Sequence, residues 1–203
     1  MKSSLDLSPS AVSMASLCRP AVGPWVLRYD VLLVVLGSVA LALSAQVSVR
    51  LHPALSPVPI TAQSVVVLIL AALMGARRAV ATVGLYLTEG ACGLPVFANG
   101  GAGAVYLAGP TGGYLAGFLL AAFVVGSLAQ RGWDRRVPTT AIAMLIGTVL
   151  IFLPGVSWLA VYDGPERAIE AGLLPFLPGA AIKIALATAL LPAGWRAMSR
   201  LRR

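Results

Sequence analysis

Six apolar runs separated by short charged or proline-rich connections constrain this chain more than any other feature. They are Val31 to Val49, Val65 to Met74, Ala79 to Ala91, Tyr114 to Leu128, Ala141 to Val161 and Phe176 to Leu191. Crossing a bilayer takes about 20 apolar residues per helix, so the second run is expected to start earlier, near Thr61. Only 11% of the 203 residues are charged, against about 25% in a soluble domain. So few charges cannot cover a water-facing surface. The expected fold is therefore all-α, a polytopic membrane protein with six transmembrane helices. Residues 1–28 read as a flexible tail, 29–198 as a six-helix transmembrane domain, and 199–203 as a basic tail.

The formal net charge is +8, but its distribution does not suit nucleic acid. Lys2, Arg19, Arg28, Arg77, Arg78, Arg131, Arg135, Arg136, Arg196, Arg200, Arg202 and Arg203 fall in the first tail, in alternate connections and in the last tail. Arg50 and Arg167 belong to the opposite set, and Lys183 lies inside the sixth run. Cytoplasmic loops carry the excess of Lys and Arg. Both termini are accordingly expected in the cytoplasm. The connections around Pro53, Gly100 and Gly164 then face outward.

Polar residues within or beside the runs are the candidate ligand contacts. An ionisable group inside a membrane normally faces a partner or a cavity. Lys183 lies five residues beyond Pro178, a helix-opening residue, which puts it about 7–8 Å below the outer end. It either snorkels to the interface or presents a cation to an anionic ligand or a carboxylate. Glu89, at the outer end of the third run, either pairs with Lys183 or sits in water. Asn99, Gly100 and Gly101 belong to a charge-free segment from Gly93 to Gly113 that holds seven glycines. There the glycines permit tight turns, and the Asn99 amide both donates and accepts. It suits a urea-like ligand or an ordinary turn. Gln63, Tyr86 and Tyr114 are further candidates for the lining. In the first run, Ser38 with Ala42 and Ala40 with Ser44 place small residues four apart, a spacing that lets helices approach closely. It serves internal packing or a partner subunit.

Cys18 and Cys92 have neither metal-ligand nor disulfide-framework spacing, and no metal site is expected. The sequence has no Gly-x-Ser-x-Gly, no His-Glu-x-x-His and no Gly-x-x-x-x-Gly-Lys-[Ser/Thr]. Those absences speak against an enzyme and against an ATP-binding site on this chain.

A series of motifs resembles one family. It begins at Val58-Pro59-Ile60-Thr61-Ala62-Gln63 and continues through Gly75-Ala76-Arg77-Arg78, Tyr86-Leu87 and Gly93-Leu94-Pro95-Val96-Phe97. It is strongest from Gly109-Pro110-Thr111-Gly112-Gly113 to Phe118, and returns at Pro175-Phe176-Leu177-Pro178-Gly179 with Lys183. These resemble the BioY family, the biotin-binding S components of energy-coupling-factor transporters. The resemblance implies a six-helix protein of the bacterial cytoplasmic membrane that captures biotin near its outer surface. It also implies a transmembrane coupling subunit and two cytoplasmic ATPase subunits as partners. On that reading Ser38, Ala40, Ala42 and Ser44 are an interface for the coupling subunit. Lys183 would meet the valerate carboxylate, Asn99 and the glycine loop the polar ring, with Tyr86 and Tyr114 as walls and Gln63 in a closing loop. Biotin enters as cargo, and no cofactor is expected. The alternatives are an S component for another small vitamin and a membrane assembly protein without a ligand. The family commonly has an aspartate three residues before this lysine. Here the position is Ala180, and Glu89 is the candidate replacement.

Overall fold

A computed structural model describes residues 13–20, 23, 25–49, 52 and 56–201. The helices are α1 (Trp25–Gln46), α2 (Gln63–Met74), α3 (Ala76–Ala91), α4 (Ala104–Ala108), α5 (Gly112–Gln130), α6 (Val137–Asp163), α7 (Pro165–Gly172) and α8 (Leu177–Leu201). Two short strands, β1 (Ser48–Val49) and β2 (Ile60–Thr61), pair antiparallel with Ser48 opposite Thr61. Among the described residues α1, α5, α6 and the stretch Pro165–Arg200 are long and apolar enough to cross a membrane. The 12 residues of α2 rise about 18 Å, and the 16 of α3 about 24 Å. Each is shorter than a hydrocarbon core of about 30 Å.

Several boundaries differ from those read off the runs. The second helix begins at Gln63 rather than Thr61, because Ile60 and Thr61 are used in the strand pair with the end of the first apolar run. Of the flexible tail expected over 1–28, residues 1–12, 21, 22 and 24 lie outside the described residues, and the described part is packed against the bundle. Met14–Cys18 forms a 3-10 turn, and the buried Ser13 hydroxyl donates to the Met74 carbonyl. Asp30 then ion-pairs with both Arg19, at 2.6 Å, and Arg78, at 2.8 Å, so α1 includes charged residues ahead of the apolar run. The basic tail expected at 199–203 is helical up to Leu201. In the glycine-rich segment α4 provides one helical turn, and α7 is a short helix that the apolar runs did not signal.

Small residues set how closely the helices pack. Gly75 ends α2 and begins α3 with φ +78°, a conformation that favours glycine. Beside it, a Cβ on Gly126 would come within 2.5 Å of the Ala76 nitrogen. α5 and α6 cross at Gly117, where a Cβ would lie 2.8 Å from the Ile151 Cα. α1 meets α3 through Gly37, whose missing Cβ leaves room for the Thr82 side chain. The core runs along α2, α3 and α5, with Leu68, Ala71, Ala79, Val83, Ala121 and Val125 all buried. The arginines of the α2–α3 and α5–α6 turns and of the end of α8 mark one end of the bundle. The strand pair and the glycine-rich segment mark the other.

A candidate ligand cavity around Lys183

At that second end a cavity opens between Val58 and Pro59, α2, the glycine-rich segment, α5, α6 and α8. Its walls are mostly apolar: Leu68, Phe97, Tyr106, Tyr114, Leu115, Phe118, Ile151, Phe152 and Phe176. Its polar side chains are Thr61, Gln63, Ser64, Thr111, Thr148 and Lys183. The empty space, counted out to the open mouth, is about 760 Å³. An outer vestibule adjoins it, sharing Val58, Pro59, Ala98, Tyr106 and Thr111 and adding Asn99 and Gly101. Apolar walls with a few placed polar groups are the usual composition of a small-molecule site.

Among the described residues Lys183 is the one charged side chain in this lining. It is half-buried, and its Nζ donates to the Thr61 carbonyl at 2.6 Å and to the Ser64 hydroxyl at 2.9 Å. Both acceptors are neutral. Among the described residues the two ion pairs are made by Asp30 at the other end of the bundle, and none involves Lys183. The N-terminal end of α2, where Ser64 sits, carries the positive end of the helix dipole. A cation and a positive helix end thus meet with no carboxylate between them. An anion would complete this arrangement.

Glu89 does not supply that carboxylate. Its Oε2 accepts a hydrogen bond from the Ser38 hydroxyl, a contact between α3 and α1, and it is absent from the cavity lining. The pairing of Glu89 with Lys183 considered from the sequence is therefore not formed. The same bond turns Ser38 inward, and Ser44 is buried too, its hydroxyl donating to the Leu41 carbonyl. Of the four small residues, Ala40 and Ala42 are half-buried.

Gln63 lines the cavity, while Tyr86 stands behind it. The Gln63 Nε2 donates to the Tyr86 hydroxyl, which donates to the Val96 carbonyl. Tyr86 meets Phe97 edge-on, and Phe97 stacks on Tyr106. Phe97 fits because Gly90 has no side chain, since a Cβ there would lie 2.0 Å from the ring. Tyr114 is a wall residue, its hydroxyl donating to the Gly172 carbonyl at 2.7 Å while its ring stacks on Phe176. Asn99 is exposed at the vestibule, in the left-handed region at φ +59°, and accepts from Ser48. Gly101 lies against the Tyr106 ring, and Gly100 turns the chain with φ +74°. The Trp158 indole and the Tyr162 hydroxyl donate to the carbonyls of Gly109 and Ala108, fixing the turn into α5 to α6.

Ser64, Phe97, Tyr106, Thr148, Phe152 and Phe176 were not singled out from the sequence as ligand contacts. Tyr106, isolated among small residues and glycines, was the one with a visible signal. The others look like ordinary members of apolar segments. Ala180 does line the cavity together with Lys183 on α8, so no acid stands beside the lysine on that helix.

An apolar helical bundle with a cavity at one end defines a multi-pass membrane protein with a small-molecule site. The family model for the BioY family matches residues 17–200, and the chain belongs to that family. A biotin transporter BioY of Thermotoga maritima is 40% identical over 134 residues, covering 66% of this chain and 78% of that protein. A probable biotin transporter BioY of Rickettsia prowazekii is 32% identical over 161 residues, covering 79% and 80%. The fold is similar to a crystal structure of the S component for biotin from an ECF-type ABC transporter. The TM-score is 0.74 at 22% identity, over 87% of this chain and 95% of that one.

Proposed function

We propose that this chain captures biotin and takes it up across the membrane, as the substrate-specific component of an energy-coupling-factor transporter. The observation that carries the reading is Lys183, a cation in an apolar cavity whose described lining holds no carboxylate. Biotin offers a carboxylate for that cation, a bicyclic ring for the apolar walls, and a ureido group for hydroxyls and amides. Thr111 and Thr148 inside the cavity, and Asn99 at its vestibule, are the polar groups available to that ring. The biotin transporters among its relatives support the same ligand.

The finer arrangement follows from this reading. The chain crosses the bacterial cytoplasmic membrane six times, α2 and α3 forming the two short crossings, with both termini and the arginine-rich end in the cytoplasm. The cavity then opens outward, as capture requires. Transport is energised by a transmembrane coupling subunit and two cytoplasmic ATPase subunits. The exposed face of α1 with Leu36, Val39 and Leu43 is the surface for the coupling subunit, and Ala40 and Ala42 lie at its margin. Ser38 and Ser44 instead pack within the chain.

A binding screen on the purified protein tests the ligand assignment. Biotin should bind and be retained through purification, where mass spectrometry detects it. Binding of thiamin or riboflavin in place of biotin would reject the assignment.

A further inference from the structure

We propose that Ser64 is a positioning residue, which sets Lys183 to select a ligand with a free carboxylate over its neutral amide. The proposal rests on reading the cavity as a biotin site. A lysine ammonium is a point charge on a flexible four-carbon stem, so its place is decided by what holds it. Here two groups do so, the Thr61 carbonyl at 2.6 Å and the Ser64 hydroxyl at 2.9 Å. They come from opposite sides of the β2–α2 junction, Thr61 ending the strand and Ser64 lying in the first turn of the helix. An ammonium has three N–H donors. These two bonds leave one, and the lysine lines the cavity where that donor is needed.

Without the hydroxyl, a single backbone carbonyl would hold the ammonium, which could then swing on its stem toward the cavity mouth and water. The consequence falls on charged ligands. The ammonium and a carboxylate attract as two full charges, the more strongly the less water stands between them, whereas an amide carbonyl offers the ammonium only a dipole, so the acid depends on the ammonium far more than the amide does. Truncating Ser64 should therefore weaken binding of the acid and leave the amide nearly unchanged. A serine that merely supported the cavity wall would affect both ligands alike.

The experiment measures dissociation constants for biotin and biotin amide by titration calorimetry on the purified full-length protein. Ser64→Ala should weaken biotin about tenfold and biotin amide by less than about twofold. Ser64→Thr, which keeps the hydroxyl, should retain the wild-type preference for the acid. In a Lys183→Met background the further change Ser64→Ala should cost biotin less than about twofold, because the two residues act as a unit. Equal losses for acid and amide, no loss for either, or an undiminished loss without the lysine would each overturn the proposal. A wild-type protein that binds neither compound would instead overturn the biotin reading.

Discussion

Gln63 and Tyr86 hold two separate stretches of chain together: the Gln63 amide donates to the Tyr86 hydroxyl at 2.6 Å, and that hydroxyl donates to the Val96 carbonyl at 3.2 Å. Both side chains are buried. The start of α2 is thereby tied to the glycine-rich segment, which carries Phe97 and Asn99. Tyr86→Phe would leave the Gln63 amide and the Val96 carbonyl without this partner. A buried polar group left unsatisfied costs about 1–3 kcal/mol. Thermal unfolding in detergent should show the loss, and an unchanged midpoint would mean the bridge restrains nothing.

Glu89 is bonded to Ser38 on α1, away from the ammonium of Lys183. Glu89→Gln keeps a carbonyl oxygen able to accept from that serine. Biotin affinity should stay within about twofold of wild type, in contrast to the loss on changing Lys183. A tenfold loss in equilibrium binding would show that the glutamate acts on the ligand after all.

Two glycines should respond in opposite ways to the same substitution. At Gly117 a Cβ would meet backbone atoms of Ile151 at 2.8 Å, and backbone cannot yield without parting α5 from α6. Gly117→Ala should destabilise by about 1–3 kcal/mol, the usual cost of overpacking. At Gly84, inside α3, nothing lies within 4 Å of the position. Gly84→Ala should be neutral or stabilise by roughly 0.5–1 kcal/mol through helix propensity. Parallel melting curves compare them, and equal responses would contradict the packing described.

Asp134 lies in the turn between α5 and α6, only 2% exposed, and accepts from the Trp195 indole at 2.6 Å. Burial raises its carboxyl above the ordinary carboxylate range, with the Trp195 bond and the neighbouring Arg135 opposing in part. Between the ordinary value, about 4, and the raised one, the folded protein holds a proton that the unfolded chain has released. Stability therefore falls as pH rises through that interval. Asp134→Asn can still accept from Trp195 and has no charge to bury. The wild type should lose stability relative to this variant as pH rises from about 4. Melting midpoints of the two proteins that stay parallel over that range would refute it.

The bundle and the lysine were legible in the sequence because each rests on a local signal. Apolar runs declare helices in lipid, and a lone cation in such a run stands out. Less legible was whatever depends on which helix lies next to which. Glu89 and Lys183 look like partners only until α1 is placed against α3, where Ser38 takes the carboxylate. The same contact turns Ser38 from a surface residue into packing. Ser64 gave no signal of its own, since its importance comes from a lysine 119 positions away. The second helix began later than expected because strand pairing between β1 and β2, which apolar periodicity does not report, claimed Ile60 and Thr61.

The dissociation constant for biotin, measured on the purified protein and on Lys183→Ala, tests the central claim most directly. The account predicts that the wild type binds biotin and that the variant binds it at least about tenfold more weakly, a loss of about 1.4 kcal/mol or more. Equal affinity in the two proteins would remove Lys183 from the ligand site and contradict the account.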